Sequence, residues 1–183
     1  MVKNLLKIIF LFFFLFSHIS YGSEKEPILD NVNKNIIKKH FQKIKLIGEA
    51  NYSFLFWNVY DAQLYSPEIN FDKKKFALIL RYNKEIKKEL LVNETIEDMK
   101  KQKILTEEKI KNWTNIFNSI YQKVTVGSRF LCIKLKKDKS IFFYNGKKLL
   151  ESNNEEFIEL FFNIWLRNDS KNPSFSKKLL GKL

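Results

Sequence analysis

The order in which two kinds of hydrophobic pattern follow one another is the feature that most limits how this chain can fold. Residues 45–65 and 76–82 have the composition of strands. Residues 94–102 have the composition of a helix, and residues 106–121 carry apolar side chains at helical spacing. A second group of strands follows, and then a second group of helices. Because strands and helices are grouped rather than strictly alternating, the sequence predicts an α+β fold, an antiparallel β-sheet with a layer of helices on one face.

The first part of this pattern predicts one short helix followed by strands. Residues 31–44 are amphipathic, which predicts a helix whose start is capped by Asn or Asp. Residues 45–65 are rich in aromatic and β-branched side chains, which favours two strands or one long bent strand ending at Ser66-Pro67. A further strand is predicted over residues 76–82, whose sequence is FALILRY.

Helices are predicted both between the two groups of strands and after them. Residues 94–102 have helical composition, and a longer helix begins after Thr106, whose hydroxyl can cap it. A final short helix over 175–180 is expected to end at Gly181. The longer helix is identified by Ile110, Trp113, Phe117, Ile120 and Tyr121. The helix before the last is identified by an apolar stripe of Phe157, Leu160, Phe161, Ile164 and Trp165.

The second group of strands has the clearest local signals. Residues 129–136 alternate as a strand does. Asn145-Gly146 is the strongest short signal for a β-hairpin, here between residues 141–144 and 148–150.

The N-terminal residues have the features of a signal peptide. Two lysines precede an unbroken apolar run over residues 8–16, and small residues stand at the −3 and −1 positions of a cut before Ser23. The run is shorter than the ~20 residues that span a bilayer. We therefore expect residues 1–22 to be removed and residues 23–183 to form a single domain in the periplasm or outside the cell. An uncleaved N-terminal anchor is the alternative.

The positive charge of the chain comes almost entirely from lysine. The formal net charge is +13, and only three of the 33 basic residues are arginines, Arg81, Arg129 and Arg167. Nucleic-acid binders rely on the bidentate contacts of arginine, which lysine cannot make. The sequence therefore predicts no nucleic-acid partner, and only a weak attraction to anionic membrane surfaces. It makes no prediction of oligomeric state.

The side chains that most enzymes and metal sites need are scarce. A single cysteine, Cys132, cannot form an intramolecular disulfide, and the two histidines, His18 and His40, lie far apart in the sequence. Five scattered glycines cannot form a phosphate-binding loop. We therefore predict no metal, no cofactor and no catalytic residue of a nucleophilic or acid–base kind.

Four polar side chains stand out because each interrupts an apolar strand: Tyr60, Asp61, Arg81 and Tyr82. A tyrosine hydroxyl or an arginine in an apolar cleft can hold a carboxylate or carbonyl while the walls bind an acyl chain or a ring. These four residues are the candidate ligand-binding residues. The alternative is structural, with both tyrosines anchoring the packing of the strands and Arg81 either paired with Asp61 or lying at a rim.

Several short motifs, in order along the chain, resemble the bacterial, exported branch of the chalcone isomerase-like family. Together they extend over about residues 45–181, and the resemblance implies an α+β fold with an antiparallel sheet and helices around an apolar cleft. The motifs are Gly48-Glu49-Ala50, LFWNVYDAQLY over 55–65, Leu80-Arg81-Tyr82, IEDM over 96–99, Trp113, FFYNG over 142–146, FFNIWL over 161–166, and LLG over 179–181.

The same resemblance argues against chalcone isomerase activity. True chalcone isomerases use a strand arginine, a threonine just before the Val-Tyr motif, and a tyrosine and an asparagine beyond the third strand. Here Leu55 stands near the place of that threonine, and no tyrosine occurs between Asn83 and Trp113. Without those groups the electrostatic stabilisation of the cyclisation is lost. The expectation is a protein without this catalytic activity.

A related plant branch of the family binds fatty acids, and the resemblance to it is partial. That branch holds the carboxylate with the tyrosine of its Val-Tyr motif, which Tyr60 matches, and with an arginine on the first strand. Residues 47–53 contain no basic side chain, and Asn51 stands near the place of the arginine. Arg81 can replace it only if its side chain turns into the cleft.

These observations lead to one functional expectation and two alternatives. We expect an exported, non-catalytic protein that binds a hydrophobic or acyl small molecule, such as a fatty acid, in an apolar cleft. One alternative is an isomerase or lyase acting on another substrate, which would need a titratable group with a strongly shifted pKa in the cleft. The other is a structural or partner-binding module with a filled core.

Overall fold

The computed structural model describes residues 26–68 and 71–183, which form a six-stranded antiparallel sheet and five helices. The strands lie side by side in sequence order from β1 to β6, and two helices connect β3 to β4. The elements in chain order are α1 (Asn31–His40), β1 (Lys45–Phe54), β2 (Trp57–Ser66), β3 (Phe76–Tyr82), α2 (Lys88–Gln102), α3 (Glu107–Ile120), β4 (Arg129–Lys136), β5 (Lys139–Tyr144), β6 (Lys147–Ser152), α4 (Glu155–Leu166) and α5 (Pro173–Leu179). The expected signal peptide lies outside the described residues.

Local signals in the sequence explain where several of these elements begin and end. The Thr106 side chain accepts a hydrogen bond from the backbone N–H of Lys109, so α3 begins where its cap predicts. Asn145 and Gly146 both have positive φ, 46° and 79°, as the hairpin between β5 and β6 requires. Gly181, with φ 66°, follows the end of α5 as expected.

The α+β class is confirmed, and helices lie on both faces of the sheet in unequal numbers. Helices α2 to α5 pack against one face, which we call the helical face. Helix α1 packs against the other face, the α1 face, where Ile37 and Phe41 contact Ile79 and Leu131 in a smaller core. The central strands are therefore buried on both sides, which is why β3 is an almost continuous apolar run.

Three helices differ in their bounds from the sequence prediction. The last, α5, extends over Pro173–Leu179 instead of 175–180. Helix α1 ends at His40 rather than near residue 44, because Phe41 is already extended, with φ −129°. Helix α2 begins at Lys88, six residues before the predicted start, and Lys87 provides no side-chain cap there. The early turn of α2 therefore lacks the signal that marks a helix start in sequence. None of the described helices is long and apolar enough to cross a membrane.

Residues 45–65 form two strands, joined by a tight turn at Leu55 and Phe56. Leu55 has a positive φ of 54°, a conformation that glycine and asparagine adopt readily. For a leucine this backbone conformation is unfavourable by roughly 1–2 kcal/mol. The turn contains none of the residues that usually identify a hairpin. For this reason the sequence did not distinguish two strands from one long bent strand over residues 45–65.

Candidate functional site

The four candidate residues form two neighbouring cross-strand pairs between β2 and β3. In the register of β2 and β3, Tyr60 lies opposite Tyr82 and Asp61 lies opposite Arg81. Successive side chains of a strand point to opposite faces. Tyr60 and Tyr82 therefore face the helices, whereas Asp61 and Arg81 point to the α1 face. The structure brings the four residues together as two pairs on opposite faces of the sheet, not as one cluster in a single cleft.

Tyr60 and Tyr82, which we call the tyrosine pair, lie in aromatic surroundings on the helical face. Their ring centroids are 5.8 Å apart, and Tyr52 stacks on Tyr60 at 4.9 Å. The edge of Phe175 meets the Tyr60 ring at 5.9 Å. The Tyr60 hydroxyl accepts a hydrogen bond of 3.0 Å from Nε1 of Trp165. The pair thus presents two polar atoms inside an apolar environment.

Both hydroxyls keep an unused capacity to donate a hydrogen bond. Among the residues that the structure describes, no acceptor receives the proton of Tyr60, and the Tyr82 hydroxyl has no hydrogen-bond partner. Burial raises the pKa of both hydroxyls well above the usual value, because the charged form would lose its hydration. Both therefore remain neutral donors at physiological pH.

The space between the sheet and helices α3 and α4 is filled by aromatic rings. Phe142 and Phe161 meet at 5.1 Å, and Phe117 and Phe157 stack at 5.3 Å, all four almost without solvent exposure. None of the clefts described for residues 26–68 and 71–183 is lined by the tyrosine pair. A ligand on the helical face would have to move a side chain aside.

The Asp61 and Arg81 side chains form a buried ion pair on the α1 face. Nη1 of Arg81 lies 3.9 Å from Oδ2 of Asp61 and donates a hydrogen bond of 2.8 Å to Oδ1 of Asn83. Oδ1 of Asp61 accepts hydrogen bonds from the amides of Asn51 and Asn58, at 2.6 and 2.9 Å. Because the guanidinium points away from the tyrosine pair, Arg81 does not replace the missing arginine of β1. This contact matches the structural alternative for Arg81.

Two open clefts on the α1 face border this ion pair. One, of about 610 Å³, is lined by both Arg81 and Arg129, and the other, of about 480 Å³, is lined by Asp61 and Gln63. Glu26 lines both clefts, together with Asp30 in the first and Lys34 in the second. They differ from the apolar cleft that the sequence predicts for Asp61 and Arg81.

Sequence reasoning missed two arginines that hold the fold together. Arg129 donates hydrogen bonds to the backbone carbonyls of Pro27, Ile28 and Gly127, and so fixes the segment before α1 to the sheet. Arg167 forms a bidentate contact with the carboxylate of Asp98, which links α4 to α2. All three arginines of this lysine-rich chain are largely buried and lie beside a carboxylate. That rarity is the sequence signal, since arginine makes several directed hydrogen bonds where lysine makes fewer.

Trp165 is the other residue whose role the sequence analysis did not predict. It was identified only as part of an apolar stripe on α4, but its indole N–H reaches the Tyr60 hydroxyl across the interface between α4 and β2. A buried indole needs a hydrogen-bond acceptor. The tyrosine pair is therefore connected to the helical layer by a directed contact as well as by packing.

Comparison with known proteins agrees with this architecture. The model of the chalcone isomerase-like family matches residues 32–181. No curated protein matches the chain in sequence. Among solved structures, the fold is similar to that of a fatty-acid binding protein of Arabidopsis thaliana, AtFAP1, with a TM-score of 0.59 and 12% identity over 75% of this chain and 87% of that chain. At this identity the likeness shows the fold alone. Since the family match extends over most of the sequence, the chain belongs to the chalcone isomerase-like family.

Proposed function

We propose that the protein binds a hydrophobic or acyl small molecule, such as a fatty acid, on the helical face of the sheet and does not convert it chemically. The observation that carries this proposal is the tyrosine pair, formed by the partly buried Tyr60 and the buried Tyr82, whose hydroxyls have unused donors in aromatic surroundings. Binding sites for small molecules are mostly apolar, with a few polar groups that fix orientation. The pair has this composition.

The geometry indicates which end of a ligand the tyrosine pair would hold. Neutral hydroxyls donate hydrogen bonds, so the matching group is an acceptor such as a carboxyl, an ester or a carbonyl oxygen. Arg81 lies on the opposite face, and the head group is therefore held by hydrogen bonds rather than by that cation. The hydrocarbon part of the ligand would lie against the aromatic rings of Tyr52 and Phe175.

The same chemistry argues against base catalysis by the tyrosine pair. A tyrosine acts as a general base only when it is ionised, and burial moves the pKa of Tyr60 and Tyr82 away from physiological pH. The hydroxyls then orient a ligand without removing a proton from it. The fold likeness to a protein named for fatty-acid binding supports an acyl ligand.

A second candidate function is favoured by the aromatic packing above the sheet. The rings of Phe117, Phe142, Phe157 and Phe161 fill the space between the layers, as a structural or partner-binding module with a filled core requires. A ligand can still bind if Tyr52 and Phe175, which lie beside the tyrosine pair, move. The two candidates therefore differ in whether the protein carries a small molecule at all.

Native mass spectrometry of the purified protein, before and after incubation with palmitate, tests this proposal. We expect a bound fatty acid on the wild-type chain. Combining Tyr60→Phe and Tyr82→Phe is expected to weaken the affinity roughly 5- to 150-fold, since each lost hydrogen bond contributes roughly 0.5–1.5 kcal/mol. The matched control is Tyr144→Phe, which also removes a hydroxyl, but one that donates to the Lys123 carbonyl and to Ser128 where β5 ends and β4 begins. No bound mass on the wild type supports the filled-core candidate. Equal occupancy in all variants contradicts a role for the tyrosine pair.

The proposal includes export to the periplasm or the outside of the cell, which rests on the pattern of residues 1–22. The protein expressed from its full sequence in a bacterial host is expected to have the mass of a chain that begins at Ser23. A mass that still includes residues 1–22 would contradict cleavage and favour the uncleaved anchor.

A further inference from the structure

The turn between β1 and β2 exposes four large apolar side chains next to one another. Phe54, Leu55, Phe56 and Trp57 are between 57% and 98% exposed, and Phe56 is the most exposed of them. Single apolar residues on a surface are ordinary, but a contiguous group indicates an interaction site. We call residues 54–57 the apolar tip.

The residues of the apolar tip do not favour the turn that they form. Leu55 adopts the left-handed conformation, at φ 54°, in a position where hairpins usually have glycine or asparagine. A leucine in this conformation lowers the stability of the fold. Its side chain is 75% exposed, so burial within the chain does not offset this loss. Sequences that depart from a local rule in this way often do so at functional sites.

One basic side chain contacts the apolar tip, and two more follow it along the same segment. The Nζ atom of Lys84 lies 4.2 Å from the centroid of the Trp57 ring, a cation–π contact. The segment after β3 lies beside the hairpin, because the backbone N–H of Asn83 donates to the carbonyl of Val59 at 2.8 Å. That segment continues through Lys87 and Lys88 into α2.

The remaining groups at this end of the sheet add apolar surface, and the nearest carboxylates along the same segment are Glu85 and Glu89. Val126 and Leu90 are both more than half exposed. The backbone N–H of Gly127 donates to the carbonyl of Tyr82, which places the turn before β4 at the same end as the apolar tip. Glu85 is paired with Lys123 at 2.7 Å, so the lysines next to the tip are not neutralised by it.

We propose that the apolar tip docks the protein on a lipid bilayer that contains anionic headgroups. Trp and Phe side chains favour the boundary between headgroups and acyl chains, and lysines beside them reach anionic headgroups while their stems lie on apolar surface. A second copy of this chain is a poorer occupant, because a symmetric contact through the tip would bring Lys84 of one copy toward Lys84 of the other. This docking does not depend on the tyrosine pair binding a ligand.

Docking at the tip would bring the tyrosine pair close to the bilayer. Tyr52 and Tyr60 lie opposite each other in the β1–β2 register. Tyr52 is two positions before Phe54, and Tyr60 is three positions after Trp57. An acyl molecule leaving the membrane at the tip would therefore meet the aromatic surroundings of the pair first.

Sedimentation with vesicles tests the docking. The chain from Ser23 onward, which contains every described element, is mixed with phosphatidylcholine vesicles with or without phosphatidylglycerol. We expect binding to the anionic vesicles, and at least a tenfold weaker partition for the double variant Leu55→Gly, Phe56→Ser. The glycine relieves the positive φ at position 55, so this variant is expected to fold.

The matched control is Ile104→Ser. Ile104 is 97% exposed, and it follows the end of α2 that is distant from Lys88, across a helix about 22 Å long. The control is expected to bind vesicles as the wild type does. Equal loss in the control and the double variant, or equal binding of wild type and double variant, would overturn the proposal.

Tryptophan fluorescence supplies an independent readout. Of the three tryptophans, Trp113 and Trp165 are buried, so only Trp57 can enter the bilayer. We expect the emission to move to shorter wavelength on anionic vesicles, and this shift to disappear in Trp57→Phe while that variant still sediments. If the tip instead forms a dimer without vesicles, which analytical ultracentrifugation would detect as a species lost in the double variant, the lipid proposal is wrong.

Discussion

Replacing Phe161 by alanine is expected to lower the free energy of unfolding by about 3–5 kcal/mol. Phe161 is fully buried at the centre of the helical layer, where its ring meets Phe142 at 5.1 Å and Trp165 at 5.2 Å. Alanine would leave a cavity that these rings cannot easily close. Urea denaturation of both proteins, with the slope of the transition compared, measures the change.

The matched control is Phe56→Ala, which removes the same atoms from a side chain that is 98% exposed. We expect the control to change the free energy of unfolding by less than about 0.5 kcal/mol. A loss of less than about 1 kcal/mol in Phe161→Ala would show that the interior is loosely packed. Such a result would contradict the filled space between the sheet and helices α3 and α4.

Replacing Asp61 by leucine is expected to lower the free energy of unfolding by about 3–5 kcal/mol, because it removes the carboxylate beside a buried guanidinium. The side chains of Asp61 and Arg81 have 0% and 9% of their surface exposed, and their charged atoms are 3.9 Å apart. The amides of Asn51 and Asn58 would lose their acceptor in the same variant. Thermal and urea unfolding measure the loss.

A double-mutant cycle distinguishes the ion pair from general damage at this position. When Asp61→Leu is combined with Arg81→Leu, no unpaired charge remains, and we expect at least half of the lost stability to return. Glu97→Ala, which breaks an exposed pair with Lys100, is the surface control and is expected to cost less than about 1 kcal/mol. Additive losses in the double variant would mean that the two residues do not act as a pair.

The strands could be predicted from sequence because their patterns are local and strong. Residues 76–82 and 129–136 were predicted with the bounds that the structure gives, since each is an apolar run bounded by polar or turn residues. The hairpin at Asn145-Gly146 was equally clear, because only a few residues tolerate positive φ. The start of α2 was not predicted, since its first turn has no side-chain cap.

The candidate site was only partly predictable, because the face to which a strand residue points has a local signal whereas strand register has none. Adjacent residues of a strand point to opposite faces, so Tyr60 and Asp61 could already be assigned to different sides of the sheet from sequence. The pairing of Tyr60 with Tyr82 depends on strand register, which has no local signal here. The position of α1 on the face of Arg81 is equally a property of the tertiary fold.

Two other features depend on side-chain packing that a sequence does not show. Whether the layer above the sheet is hollow or filled depends on how the rings of residues such as Phe142 and Phe157 interlock. The exposure of Leu55 and Phe56 depends on a turn whose residues do not identify it as a turn. The composition of the sequence predicted that the layer above the sheet and the turn at Leu55 and Phe56 are apolar. It did not predict which of these side chains are exposed to solvent.

The central claim, that an acyl ligand binds at the tyrosine pair on the helical face, is tested most directly by measuring which protons the ligand contacts. Nuclear Overhauser effects between ¹³C-labelled palmitate and the protein supply this information. The account predicts contacts from the carbons near the carboxyl group to the rings of Tyr60 and Tyr82. Contacts instead to Ile79 and Leu131, which lie on the α1 face, would contradict it.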